Sequence, residues 1–309
     1  MSETIRTILA LSRLPRVGRL RLRNVLERFA TGTTIGLSLP DLASLFGDQI
    51  AKENVAAAES EADEILERCE KYRIQVHYLG GPSYPTQLAR LAEPPALLFS
   101  IGRFDTHRRP RIAVIGTREA SEWGLQTARA CGAKIADSHG LVVSGLALGI
   151  DAAAQKATVD HGGPTWAVLA HGLHTVSPSS NRDLAKRIVE TGGALISEYP
   201  PGEPARRHYF VERDRIQAGL SDAVLVIESG IDGGAMHTVR FAHEAHVSVW
   251  VTFPDSRIRE AEISRIELPK PQQGTWELLL AKRAERVTSA KALARMMSHL
   301  PPAATATIP

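Results

Sequence analysis

The sequence predicts an α/β fold built on an extended parallel sheet, preceded by a small helical unit. Three observations carry this expectation. Strand and helix signals alternate between Arg111 and Phe253. The strand segments are nearly continuous apolar runs, such as Ile112-Ala-Val-Ile115 and Ala223-Val-Leu-Val-Ile227, as expected of parallel strands covered on both faces. Residues 1–40 instead show helical apolar spacing and carry seven arginines against two glutamates.

The first unit, residues 1–50, has two such helical stretches, Ile5 to Leu14 and Leu20 to Phe29, around the turn Leu14-Pro15-Arg16-Val17-Gly18. Period-3.6 apolar spacing makes each an amphipathic helix. The pair reads either as a contact for a nucleic-acid backbone, through charge and helix N-termini, or as a helical cap with a solvated basic face. Residues 51–105 read as a connector. It holds a helix from Glu53 to Tyr72, a short strand Gln75-Val-His-Tyr78, breaks at Gly80-Gly81-Pro82 and Pro94-Pro95, and a strand from Ala96 to Ser100. Arg108, Arg109 and Arg111 follow as a possible basic rim.

The sheet domain spans residues 106–300. Its strands are expected at Arg111 to Ile115, Gly140 to Val143, Thr165 to Ala170, Ala194 to Ser197, Ala223 to Glu228 and Val247 to Phe253. Its helices are expected at Glu122 to Ser138, Gly149 to His161, Asn181 to Thr191, Arg213 to Leu220, His237 to Ala245, Thr275 to Leu280 and Ser289 to His299. The Pro- and Ala-rich residues 301–309 read as a disordered tail.

Composition narrows the function classes. At 309 residues, 43% hydrophobic and 23% charged, the chain reads as globular. A net charge of +3 permits a nucleic-acid partner without requiring one. Cys69 and Cys131 have no CxxC spacing, so neither a zinc site nor a disulfide framework is expected. No apolar run long enough for a signal peptide or a membrane span is present, and a cytoplasmic protein is expected.

Ligands of open parallel sheets bind at the carboxyl ends of the strands. Four segments at or near those ends draw attention. Gly116-Thr117-Arg118 ends the first strand. Ser144-Gly145-Leu-Ala-Leu-Gly149-Ile-Asp151 ends the second and enters a helix, where small residues let backbone amides approach an anion. Arg206-Arg207-His-Tyr-Phe210-Val-Glu-Arg213-Asp-Arg215 reads as a basic loop, in which guanidinium groups suit phosphates and rings suit bases. Gly233-Gly234 opens a later helix, with Asp232 placed to repel a phosphate. Neither GxGxxG nor GxxxxGK[ST] occurs, so no dinucleotide or ATP cofactor is expected. Ser144 lacks a GxSxG context, the spacing of His237, His243 and His246 matches no metal motif, and Asp151 reads as an orienter of its loop. No catalytic residue and no metal ligand is expected.

Taken together, Ile112 to Arg118, Val143 to Ala154, Gly162 to Leu169, Pro178 to Arg182, Ser197 to Gly202, Arg206 to Phe210 and Arg213 to Ser221 resemble, in order and spacing, the DNA-processing protein A (DprA/Smf) family. Tyr84-Pro85 and Glu93-Pro94-Pro95-Ala96 are similar to its lead-in. The resemblance implies an extended Rossmann-like fold with an N-terminal helical domain of helical-hairpin or SAM-like type. It also implies capture of single-stranded DNA without bond chemistry, delivery to a RecA-type recombinase in DNA uptake, and a homodimer. It implies Arg118, Arg182, Arg206, Arg207, Phe210 and Arg213 as DNA contacts. Gly116, Thr117, Ser144, Gly145, Gly149, Gly233 and Gly234 would form the phosphate loops. The chain departs from the family pattern at Leu148, where a basic residue is usual, and at Asp214, where Asn is usual. It departs again at Gly233-Gly-Ala-Met-His-Thr238, and the family's C-terminal winged helix has no counterpart. These departures motivate two further readings: an accessory or antitoxin component of a phage-defence system with a toxin partner, and a nucleotide-binding module.

Overall fold

The computed structural model describes residues 3–30, 52–105, 110–254 and 268–300. The expected tail at 301–309, the rest of the first unit beyond residue 30, and Arg108 and Arg109 lie outside the described residues.

Two helices open the chain, α1 (Glu3–Arg13) and α2 (Arg19–Ala30), followed by the long α3 (Lys52–Lys71). Nine strands then form one sheet: β1 (Gln75–Tyr78), β2 (Leu97–Gly102), β3 (Arg111–Gly116), β4 (Leu141–Ser144), β5 (Thr165–Leu169), β6 (Ala194–Ser197), β7 (Ala223–Ile227), β8 (Ser248–Thr252) and β9 (Glu285–Val287). The spatial order is β1-β2-β6-β5-β4-β3-β7-β8-β9. From β6 to β9 all pairings are parallel. Strands β1 and β2, read from sequence as part of a connector, extend that sheet through antiparallel pairs, with Phe99 opposite Ser197. The later helices are α4 (Glu122–Asp137), α5 (Ile150–Asp160), α6 (Arg182–Glu190), α7 (Arg207–Leu220), α8 (Ala235–Glu244), α9 (Lys270–Leu280) and α10 (Ala290–Ser298).

Alternation along the strands divides the core between the two faces of the sheet. In β3, Ile112 and Val114 pack with Ile135, Ala154 and Trp250, while Ala113 and Ile115 pack in the cluster of Ile216, Leu220 and Val239. The second cluster continues without a break to Ile8 and Leu11 of α1, so the N-terminal helices share the core of the sheet. Both cysteines are buried and free, and burial pushes each thiol up to about 12, which leaves it unreactive.

Two expectations need correction. Arg111 is no part of a basic rim. It is fully buried and paired with Asp222 at 3.1 Å, tying the start of β3 to the turn before β7. The basic segment at 206–215 is no loop: α7 begins at Arg207, six residues earlier than its apolar spacing suggests. Its first two turns have one flank toward a cavity and the other toward the N-terminal helices, which erases a simple apolar stripe.

Candidate nucleic-acid interface

The chain runs outward from β3 through β4, β5 and β6, then returns to lay β7 on the other side of β3. The β3/β7 boundary is the point where strand order reverses, and connections leaving there in opposite directions open a crevice. A cavity of about 470 Å³ occupies it. Its walls come from the end of β3, the residues after β4, the turn after β7, the N-terminus of α8 and one face of α7.

The loops are held from behind. Glu228, buried at the end of β7, accepts from the Ser121 amide at 2.9 Å, the Ser121 hydroxyl at 2.6 Å and Gln272 at 3.3 Å, while its carbonyl accepts from the Thr117 amide at 2.8 Å. Glu228 (φ 54°) and Leu146 (φ 56°) both adopt left-handed backbone, which is rare for such side chains and concentrates where loops are over-determined by their surroundings.

Eight of the residues expected to meet the ligand line this cavity: Gly116, Thr117, Arg118, Arg207, Phe210, Arg213, Gly233 and Gly234. Arg118 and Arg207 are exposed and form no ion pair with any described residue, so their charges are available to an anion. The Arg118 guanidinium lies 5.3 Å from the centre of the half-buried Phe210 ring, a cation–π distance. Gly233 and Gly234 lead into α8 with no side chain capping its first turn, so the positive end of that helix is uncovered beside them.

The other five do not line it. Ser144 is fully buried and donates to the Val114 carbonyl at 2.6 Å. The Gly145 amide donates to Asp151 at 3.0 Å and the Leu146 amide to Gln155 at 3.1 Å. The Gly145 and Leu146 amides are thus spent on internal acceptors and are not open to a phosphate. The loop's glycines serve packing. A Cβ on Gly145 would fall 1.5 Å from the Arg213 guanidinium, and Gly149 needs its left-handed φ of 79° while pressed against the Thr117 carbonyl. Arg182 is exposed at the start of α6, away from the cavity. Arg206 is paired with Glu203 at 2.9 Å.

Sequence reasoning named Arg213, Asp151 and Asp214 singly but did not bring them together as the floor of one cavity. Arg213 is buried there, donating to the Val168 carbonyl at 2.9 Å and sitting 3.3 Å from Asp214. Asp151 and Asp214 both line the cavity. Burial pushes the Asp214 carboxyl up to about 7, and the neighbouring Asp151 charge pushes the same way, against Arg213 and Arg118. Burial also raises Asp151, against the pull of Arg213 and the Gly145 amide. The cavity thus carries positive charge at its rim and acidic groups beneath. His237 and Thr238 at the start of α8 complete the wall, within the segment Gly233 to Thr238 where the chain departs from the family pattern. Asp232, expected to repel phosphate, is exposed and outside the lining. Among the described residues no group of three or more His, Cys, Asp or Glu could hold a metal, and no helix is long and apolar enough to cross a membrane.

The chain is similar to proteins with this architecture. Protein Smf from Synechocystis sp. is 38% identical over 180 residues, covering 57% of this chain and 44% of that one. DNA processing protein DprA from Bacillus subtilis is 29% identical over 228 residues, covering 71% of this chain and 75% of that one. The matched part spans about half the length of the first curated relatives. The crystal structure of DprA from Streptococcus pneumoniae, 27% identical, superposes with a TM-score of 0.78 over 96% of this chain and 99% of its own. A Helicobacter pylori DprA, described for its single-stranded DNA binding mode, shares the fold at 23% identity with a TM-score of 0.63, covering 74% of this chain and 96% of that one. The profile described as DNA recombination-mediator protein A matches residues 75–298, which takes in every strand of the sheet and every wall of the cavity, and the chain belongs to that family.

Proposed function

We propose that the chain binds single-stranded DNA at the β3/β7 cavity and carries out no bond chemistry. The observation that carries this reading is that Arg118 and Arg207, exposed and without an ion pair among the described residues, line one cavity with the start of α8, Arg118 lying over the Phe210 ring. Fixed cations meet phosphates there, and an aromatic edge suits an unstacked base, at about 1–3 kcal/mol per stacked base. The family membership supports the same ligand, and it motivates a role in handing DNA to a RecA-type recombinase from a homodimer in the cytoplasm.

Fluorescence-anisotropy titration of a labelled single-stranded oligonucleotide at two salt concentrations tests this. Binding that weakens steeply with salt and is weakened about tenfold in each of Arg118→Ala and Arg207→Ala is expected. Absence of binding at low salt overturns it. A second reading, a small-molecule site, draws on the cavity volume of about 470 Å³, which lies in the range of ligand pockets. Mass spectrometry of the purified protein, showing a retained nucleotide, would favour that reading instead.

A further inference from the structure

Helix α7 has two unlike halves. From Arg213 to Leu220 it is buried in the core. From Arg207 to Glu212 it overhangs: Arg207 and His208 are exposed, the next four residues are half-buried, and no side chain caps the start. This overhang presents Arg207, Phe210 and Val211 to the cavity. What holds it lies on its other flank.

There Tyr209 stacks on Tyr199 with ring centres 3.8 Å apart and donates to Glu203 at 2.9 Å. Tyr199 donates in turn to Glu212 at 2.7 Å. The second partner of Glu212 is Arg19, from the first turn of α2. Arg19 also reaches Glu198 at 3.6 Å, a carboxylate already held by Arg215 at 2.6 Å. One guanidinium therefore spans two carboxylates, one after β6 and one on α7. It makes a side-chain hydrogen bond between the N-terminal helices and α7. Arg19 is on the first helix pair, whose arginines invite a reading as DNA contacts, yet its charge is directed at two acids and it does not line the anion cavity.

We infer that Arg19 is a positioning residue for the anion cavity: by clamping Glu212 to Glu198 it fixes the overhanging turns of α7 that carry Arg207 and Phe210. This rests on the reading of the cavity as a single-stranded DNA site. Arg19 couples the N-terminal helices to that site through packing, with no ligand contact of its own. Lysine cannot replace it fully, because a point charge does not bridge two carboxylates as a planar fork does.

The test uses the full chain with Arg19→Ala, Arg19→Lys, Glu212→Gln and the Arg19→Ala/Glu212→Gln double variant. Two readouts are taken. Hydrogen exchange without DNA should quicken across residues 205–213 in Arg19→Ala and stay unchanged across 214–220. Affinity for a labelled oligothymidylate should fall about threefold to tenfold, the scale of couplings through packing, with the salt slope kept. Arg19→Lys should fall between wild type and Arg19→Ala, and the double variant should bind no worse than the weaker single variant. A salt slope reduced by about one would mean that Arg19 touches phosphate directly and would overturn the inference. So would unchanged exchange over 205–213, whether or not DNA binds. If wild type binds no oligonucleotide while exchange responds as expected, the DNA reading fails and the clamp on α7 stands.

Discussion

Arg118 and Phe210 face one another across the mouth of the cavity, the guanidinium carbon 5.3 Å from the ring centre. One comes from the turn after β3 and the other from the overhang of α7. The contact orders an exposed arginine without consuming its charge, since it forms no ion pair with a described residue. Arg118→Ala should therefore lower affinity for single-stranded DNA about tenfold and reduce the salt slope by about one, as loss of one phosphate contact does. Arg207→Ala should do the same. Arg206→Ala, already paired with Glu203, and Arg182→Ala, outside the cavity, should each change affinity less than about twofold. Titrations at four salt concentrations separate these outcomes.

Asp214 makes the site sensitive to pH. Its carboxyl, pushed up to about 7 by burial, is neutral below that pH and charged above it. Arg213 and Arg118 offset the charge, and Asp151 adds to it. Affinity for DNA should fall as pH rises through about 7, because the floor then gains a negative charge beneath the phosphates. Stability follows the same sign. The folded state holds this proton to higher pH than the unfolded chain does, so stability declines from about pH 4 to about pH 7 and levels off above. Asp214→Asn should raise both affinity and melting temperature at pH 8, with little change in either at pH 5. Equal effects at both pH values would show that the carboxyl does not titrate in this window.

The rim of this site was readable in the sequence, because glycines and arginines at strand ends follow from the rule that ligands sit at the carboxyl ends of a parallel sheet. Gly116, Arg118, Gly233 and Gly234 all line the cavity. The floor was not readable. Arg213 looks like its neighbour Arg207 in a basic run, and only the turn of α7 points one inward to Val168 and leaves the other exposed. The loop after β4 looked like an anion cradle for a similar reason. Small residues entering a helix have the same composition whether their amides face a ligand or an internal acceptor, and here Asp151 and Gln155 are those acceptors. The two antiparallel strands were recognised as strands, but the pairing that joins them to the sheet lies far along the chain: β2 pairs with β6. Strand β9 was missed because it is three residues long with one buried side chain.

Gly145 offers a test of the packing role assigned to that loop. A methyl group there would overlap the Arg213 guanidinium, at 1.5 Å. Either the loop or the arginine must move, and Arg213 would lose its bond to Val168. Gly145→Ala should destabilise the fold by about 1–3 kcal/mol, the usual scale of overpacking in a tight interior, and weaken DNA binding through displacement of the cavity floor. If the amide of Gly145 were a direct phosphate donor, the methyl group would leave stability unchanged and lower affinity alone. Chemical denaturation alongside the DNA titration distinguishes the two.

Arg111 and Asp222 give the opposite case, an arginine that resembles a DNA contact in the sequence and is structural in the fold. The guanidinium is fully buried, and Asp222 accepts from its backbone amide at 2.9 Å and its side chain at 3.1 Å. Removing the carboxylate takes a hydrogen-bonded counter-charge from a buried guanidinium, which costs about 3–5 kcal/mol. Replacing the arginine by an apolar residue of similar length removes the charge as well and costs less. Asp222→Ala should therefore lower the melting temperature more than Arg111→Met does. At a temperature where both variants are folded, the salt slope of DNA binding should match wild type, because neither residue meets a phosphate. A reduced slope in Arg111→Met would place this arginine back among the DNA contacts.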